Sequence, residues 1–262
     1  MLMRKEEILT LQLSYYVLFF FLCSMLGWMM EVVTILVSRG KFVNRGFLLG
    51  PYCPIYGTGC VLMTWLIPQY ADSIPATFAL ALLLCGTVEY LTSWAMEKIF
   101  HARWWDYSGH RFQLNGRVCL KNLLAFGVLG VLVVKVLAPF AFGRFEHLPD
   151  RVAYGLCIGL LVLFITDVIL SANVLGRIRH TAATLTGDST ETLTRAVREA
   201  LWEKGCLLRR TLHAFPEVRL YNKQLLEHLH QHRTELIQKS RERNIRLRNE
   251  LDQLEHRFRS RD

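Results

Sequence analysis

The chain has 262 residues, of which 52% are hydrophobic and 20% charged, and its formal net charge is +9. Residues 1–176 contain 13 Lys and Arg and 10 Asp and Glu, whereas residues 177–262 contain 18 and 12. This segregation excludes an ordinary soluble enzyme and a disordered chain, and seven cysteines without a CxxC pair do not suggest a disulfide scaffold. We expect a transmembrane helical domain over residues 1–176 and a cytoplasmic basic helical tail over 177–262.

Five apolar stretches are long enough to cross a bilayer, which takes about 20 residues each. They lie near residues 15–37, 51–70, 76–98, 122–142 and 152–175. The second begins with Pro51, Pro54, Gly57 and Gly59, which weaken a regular helix, so it either crosses fully or is broken or re-entrant. The predicted fold class is all-α: a polytopic membrane bundle of about five spans, followed by an amphipathic or coiled-coil helical tail.

Basic residues orient this bundle. The first loop carries Arg39, Lys41 and Arg45, and the third loop carries five more basic side chains, whereas the short second loop has only Asp72. By the positive-inside rule, the first loop, the third loop and the tail face the cytoplasm. We therefore expect a multi-pass protein of the plasma membrane with its N-terminus outside.

Four acids fall within the predicted spans, where insertion of one charge costs about 2.5–3.5 kcal/mol. Glu31, Glu89 and Asp167 come from three different spans and reach similar depths, about 9–14 Å from the cytoplasmic edge at the helical rise per residue. Glu97 lies two turns after Glu89 and shares its face. These acids either line a polar cavity open to the cytoplasm or bond to loop arginines and fix the bundle.

Both cytoplasmic loops have unusual compositions. The first runs into the second span as NRGFLLGPYCPIYGTG (44–59), and the third reads HARWWDYSGHRFQLNGRVCL (101–120). Their arginines are candidate counter-ions for the buried acids, and the glycines permit close backbone approach. The candidate cavity residues are Glu31, Asn44, Arg45, Glu89, Glu97, Arg103, Asp106, Asn115, Arg117 and Asp167. The candidate backbone-approach residues are Gly46, Gly50, Pro51, Pro54, Gly57 and Gly59.

At these residues the sequence resembles a bacterial membrane family named putative ABC-transporter permease, or CmpB-like. The resemblance rests on GWMME (27–31), the first-loop motif, VEY and MEKIF of the third span, HARWWDYS and NGRVCL. It covers residues from about 24 to 140 and departs at Gln113, where the family leads us to expect Asn. The resemblance implies a multi-pass bacterial membrane protein with a transport role.

The tail is predicted to be helical over residues 188–262, with a division at Pro216. An interrupted heptad pattern from Leu226 to Phe258 is compatible with a short coiled coil and self-association. The alternative is a single amphipathic helix that packs on the loops or lies along the inner leaflet. The positive charge suits an anionic membrane surface, and no motif indicates specific nucleic-acid binding.

No GxxxxGK[ST] motif is present, so transport powered by ATP requires a separate ATPase subunit. No catalytic triad, cofactor motif or metal-ligand spacing is evident, and we favour a non-catalytic permease-like subunit. Two alternatives remain. One is a membrane enzyme acting on lipid headgroups, with Arg45, Arg103 and Arg117 binding phosphate and Glu89 or Asp106 as general base. The other is a membrane scaffold or regulator that acts through the tail.

Overall fold

A computed structural model describes residues 2–40, 42–44, 46, 48–67, 72–100 and 102–184. Beyond Thr184 it describes residues 195–197, 199, 210, 219–220, 238 and 243. Most of the predicted tail helix, and its coiled-coil register, therefore lie outside the described residues. Arg219 and Leu220 are an exception: they form a strand rather than the predicted helix, because they pair with the third loop.

The described chain is mostly helical, which confirms the predicted fold class. The helices are α1 (Leu2–Arg39), α2 (Pro54–Leu66), α3 (Ile74–Phe100), α4 (Leu120–Leu132), α5 (Ala138–Phe145) and α6 (Asp150–Thr184). The strands are β1 (Ala102–Arg103), β2 (Gln113–Leu114), β3 (Val118–Cys119) and β4 (Arg219–Leu220). β1 pairs antiparallel with β4, and β2 pairs antiparallel with β3. α6 continues without interruption across residues 176 and 177, where we expected the tail to begin.

The second predicted span is shorter than expected. It contains α2, whose 13 residues extend about 20 Å, less than the roughly 30 Å of hydrocarbon in a bilayer. Pro54 occupies the first turn of α2, where its missing N–H breaks no intrahelical hydrogen bond. Pro51 lies before the helix, so the prolines determine where α2 begins rather than break it.

Side-chain contacts show that α2 still runs antiparallel to its neighbours. Near its start, Gly57 lies against Ser24 in the middle of α1. At its end, Ile67 shares a buried cluster with Phe19 of α1 and Ala81, which is early in α3. The chain therefore passes five times between the two ends of the bundle, and four of these passes contain a helix long enough to span a membrane.

Small residues allow α3 and α4 to pack closely. A Cβ added to Gly130 would lie 2.9 Å from Met63 Sδ and would overlap Ala81, so only glycine fits there without movement. α4 is joined to α5 by a π-helical turn, Val133–Leu137. Pro139 follows two residues after this turn, and its missing N–H accounts for the irregular hydrogen bonding at this point.

The long helices present apolar surface to their surroundings. Four candidate membrane spans, Thr10–Ser38, Ile74–Phe100, Leu120–Phe145 and Asp150–Ile178, bury between 17% and 33% of their most apolar windows inside the protein. Large side chains such as Leu83, Val128 and Leu163 are more than 60% exposed. Such a surface is suited to lipid rather than water, and the chain is a membrane protein.

Candidate functional site

The described residues of the first loop (42–44, 46 and 48–53) and residues 102–119 lie at the same end of the bundle, which we call the polar end. α1 and α3 both end here, at Arg39 and Phe100. At the opposite end, Tyr15, Leu18 and Ala153 form a buried cluster. The predicted acids are therefore gathered at one end because three passes bring them to the same pair of loops.

Asp167 is the centre of the first group of contacts. Its carboxylate accepts hydrogen bonds from the backbone N–H groups of Leu49 (2.8 Å) and Gly50 (2.7 Å). It also accepts one from the Tyr52 hydroxyl at 2.6 Å, and a fourth from Ser171 at 3.0 Å, one turn along α6. The side chain is 8% exposed, so these four donors replace water around a buried charge.

Glu31 and Glu89 form a second group with two more tyrosines. The Tyr56 hydroxyl of α2 donates to Glu31 Oε1 at 2.7 Å, and the Tyr107 hydroxyl donates to Glu89 Oε1 at 3.2 Å. The two carboxylates interact electrostatically, which places them in one neighbourhood. Glu89 is 6% exposed, and its Oε2 atom is buried with no hydrogen-bond partner among the described residues.

The loop arginines converge on Glu97. Arg117 approaches Glu97 Oε2 at 2.9 Å, and Arg103 approaches the same atom at 3.2 Å. Arg103 also lies 3.7 Å from Asp106, and Arg117 donates to Ser93 Oγ at 3.3 Å. We expected these arginines to neutralise all the acids, but Asp167 and Glu89 are held by hydroxyl and amide donors instead.

Asn44 and Asn115 organise the loops. Asn44 Oδ1 accepts the indole N–H of Trp28 at 2.7 Å, which ties the first loop to α1. Asn115 and Gly116 both have positive φ, 53° and 67°, and form the turn between β2 and β3. The Asn115 amide also donates to the Tyr90 hydroxyl at 3.0 Å. An Asn-Gly pair is a strong hairpin signal, and the sequence analysis did not use it.

The backbone-approach residues divide into those in close contact and those without it. A Cβ on Gly57 would lie 2.8 Å from Phe20 Cδ2 and would overlap Ser24 Oγ, and one on Gly50 would lie 2.7 Å from the Tyr52 hydroxyl. A Cβ added to Gly46 would lie 3.2 Å from the carbonyl oxygen of Leu48, which is a tight contact. A Cβ added to Gly59 would lie at an ordinary contact distance, 3.8 Å, from Cys85 Sγ. The two prolines make no such approach: Pro54 begins α2, and Pro51 is exposed.

Two described tail elements reach the polar end. Arg210 Nη2 donates to the carbonyls of Leu48 (2.7 Å) and Leu49 (3.3 Å), so the tail binds the peptide segment whose amides bind Asp167. β4 pairs with β1, with Arg219 opposite Arg103. The tail therefore contacts both of the loops that we predicted to face the cytoplasm.

Ionisable groups outside the spans respond to this burial. Burial raises the pKa of the Tyr52 hydroxyl above its ordinary value, and the hydrogen bond to Asp167 raises it further. Burial also raises the pKa of Tyr107, together with the negative charge of Glu89. For Arg210, burial lowers the pKa, and Asp167 acts in the opposite direction. Both tyrosines therefore stay protonated donors at neutral pH.

Sequence reasoning did not assign the tyrosine partners of the acids. Tyr52 and Tyr56 belong to the first-loop motif, and Tyr107 belongs to the third-loop motif. The motifs therefore contained these tyrosines, but the sequence did not indicate which acid each one would bind. Arg45, a predicted cavity residue, lies outside the described residues.

A comparison with protein-family models finds one that matches residues 18–172 and is described as putative ABC-transporter type IV. The matched segment includes α2 to α5, the greater parts of α1 and α6, and both loops of the polar end. No curated protein and no solved structure matches the chain.

Proposed function

Because the chain belongs to the family described as putative ABC-transporter type IV, which confirms the sequence resemblance, we propose that it is the membrane-spanning permease subunit of such a transporter. We also propose that the polar end faces the cytoplasm of a bacterial cell and carries the substrate path. The division into a membrane domain over 1–176 and a tail over 177–262 is part of this proposal.

The observation that supports it best is a set of three carboxylate–tyrosine pairs at one end of the bundle. The pairs are Glu31 with Tyr56, Glu89 with Tyr107 and Asp167 with Tyr52. Each pair joins a different membrane pass to a loop or to α2. Movement of either loop would therefore break or re-form hydrogen bonds to these acids in or near the membrane. Ionisable groups within spans are costly and are typical of transport paths.

An ATPase partner would dock at the polar end, because both loops and the described tail contacts meet there. Basic residues dominate the two loops, whereas Asp72 is the only charged residue of the 67–73 connection. This asymmetry supports a cytoplasmic polar end under the positive-inside rule. A cytoplasmic ATPase could then transmit its movement through residues 42–53 and 102–119.

A regulatory role of the tail is a second candidate, favoured by the contacts of Arg210 and β4 with the loops. The lipid-enzyme alternative is less favoured, because Arg103 and Arg117 already bind Glu97 and are not free to hold a phosphate group.

The test is affinity purification of the full chain in mild detergent, followed by reconstitution of whatever co-purifies. We expect an ATPase subunit and ATP-dependent flux in proteoliposomes. Flux should fall in Glu31→Gln and remain in Asp72→Asn, a control with an exposed acid far from the polar end. Recovery of no ATPase, together with no ATP-dependent flux, would overturn the permease proposal.

A further inference from the structure

Glu89 is the one described acid at the polar end with an unsatisfied oxygen for which the structure offers no cation. Its side chain is 6% exposed, Tyr107 satisfies Oε1, and Oε2 is buried without a partner among the described residues. A buried carboxylate that lacks both a counter-ion and a full set of donors carries a large free-energy cost.

The cations described near Glu89 bind another acid. Arg103 and Arg117 both bind Glu97, whose side chain is 28% exposed and needs them less. Arg117 approaches α3 one turn beyond Glu89, at Ser93, and its guanidinium lies over the Tyr90 ring at 5.6 Å. The described basic side chains of the polar end therefore leave Glu89 without an ion pair.

Among the described residues, the groups that face Glu89 are acidic, hydroxyl-bearing, thiol-bearing or apolar. Glu31 from α1 repels its charge, and Tyr107 from the third loop donates to it. Cys85, one turn before Glu89 on α3, also interacts with its charge. Tyr56 from α2 donates to Glu31 rather than to Glu89. The neighbouring part of α4 presents apolar groups: Leu123 against Gly86, and Phe126 against the Tyr56 ring.

We propose that Glu89, with Glu31 beside it and the Tyr107 hydroxyl above it, is a binding site for one monovalent cation, either a proton or an alkali ion. A single positive charge at Oε2 neutralises the buried carboxylate and offsets the repulsion from Glu31. The oxygen ligands are hard donors, which suit both kinds of ion. For its role the site rests on the proposed function, since opening of the polar end would release the ion.

The experiment uses infrared difference spectroscopy of the full chain in lipid nanodiscs, titrated with acid and separately with Na⁺ or K⁺ at fixed pH. If the ion is a proton, the wild type shows the carbonyl stretch of a protonated carboxylic acid at neutral pH, insensitive to salt. If it is an alkali ion, that band is absent and the carboxylate stretch shifts on adding Na⁺ or K⁺. In either case Glu89→Gln abolishes the signal, whereas Asp72→Asn, which changes an exposed acid far from the polar end, retains it as the control.

A second variant tests the proposal with Glu89 in place, in case Glu89→Gln does not fold. Glu31→Gln removes the neighbouring negative charge, so the cation should bind more weakly: the midpoint moves to lower pH for a proton, or to higher salt for an alkali ion. A signal that persists in Glu89→Gln, no signal in the wild type, or an unmoved midpoint in Glu31→Gln would overturn the proposal. None of these readouts needs flux or an ATPase, so failure of the permease proposal would be recognised separately.

Discussion

The carboxylate of Asp167 and the hydroxyl of Tyr52 lie 2.6 Å apart, although 115 residues separate them in the sequence. Asp167 also binds the amides of Leu49 and Gly50, so one acid of the last pass fixes the path of the first loop. Arg210 binds the carbonyls of Leu48 and Leu49 in the same peptide segment. The first loop is thereby bound both by a membrane helix and by the tail.

This arrangement predicts energetic coupling between Asp167 and Tyr52. Asp167→Asn should lower the free energy of unfolding by about 3 kcal/mol, because two half-buried amides lose a charged acceptor, and Tyr52→Phe by about 1.5 kcal/mol. The double variant should lose about 1 kcal/mol less than the sum, since both changes remove one shared hydrogen bond. Unfolding in mixed micelles with increasing denaturing detergent measures all three.

The control for this cycle is Asp72→Asn, which makes the same chemical change at an exposed residue. Its effect should be close to zero. Strict additivity of Asp167→Asn and Tyr52→Phe would contradict the coupling and would mean that the hydroxyl contributes nothing to holding the carboxylate.

A second prediction concerns the contact between α1 and α2. Gly57→Ala places a methyl group against Ser24 and Phe20, and it should destabilise the protein by about 2 kcal/mol through overpacking. Gly59→Ala is the matched control two residues away on the same helix, where the nearest atom would be Cys85 Sγ at 3.8 Å. Alanine has the higher helix propensity, so the control should be neutral or slightly stabilising. Thermal unfolding in detergent measures the stability of both variants. Equal losses of stability in Gly57→Ala and Gly59→Ala would contradict the close approach of α2 to α1 at Gly57.

Part of this architecture could be read from the sequence, since hydropathy locates the passes and charge distribution marks the loops. The pairing of Tyr52 with Asp167 could not, because helix-face spacing limits which acids share a depth but does not say which loop atoms meet them. The sequence also did not predict that Arg103 and Arg117 would both bind Glu97. Charge composition alone offers every loop arginine as a partner for every acid, whereas the fold of the third loop places both arginines beside Glu97. Conversely, Asn115-Gly116 carried a usable signal for its turn.

A third prediction tests the geometry of Arg117, which contacts Glu97 and Ser93 while its guanidinium lies over the Tyr90 ring. Lysine keeps the charge but cannot make these contacts together, so Arg117→Lys should cost about 2 kcal/mol. Arg111→Lys, at an exposed position of the same loop, should cost almost nothing. Chemical unfolding of both variants gives the comparison, and similar values for the two would show that charge alone matters at residue 117.

A fourth prediction follows from the raised pKa values of Tyr52 and Tyr107. An unfolded tyrosine ionises near pH 10, whereas these hydroxyls stay protonated to higher pH in the folded protein. Their contribution to stability is therefore complete below about pH 10 and is lost as pH rises through the folded-state pKa. Stability of the wild type should fall above pH 10, and the double variant Tyr52→Phe/Tyr107→Phe should show a shallower fall. An identical slope in both proteins would contradict the assignment.

The last prediction tests whether the tail lies on the third loop. Ala102 is directly opposite Leu220 in the β1–β4 pair, so cysteines introduced at these two positions, in a background with the native cysteines replaced, should form a disulfide under mild oxidation. Cysteines at Leu220 and at Asp72, which lies beyond the opposite end of α3, provide the control and should not cross-link. Arg210→Ala removes the bond to the first loop, and the cross-linking rate should then fall several-fold as the tail detaches. A rate unaffected by Arg210→Ala would show that β4 holds the tail without Arg210, and equal cross-linking of both cysteine pairs would show that the tail does not rest on β1.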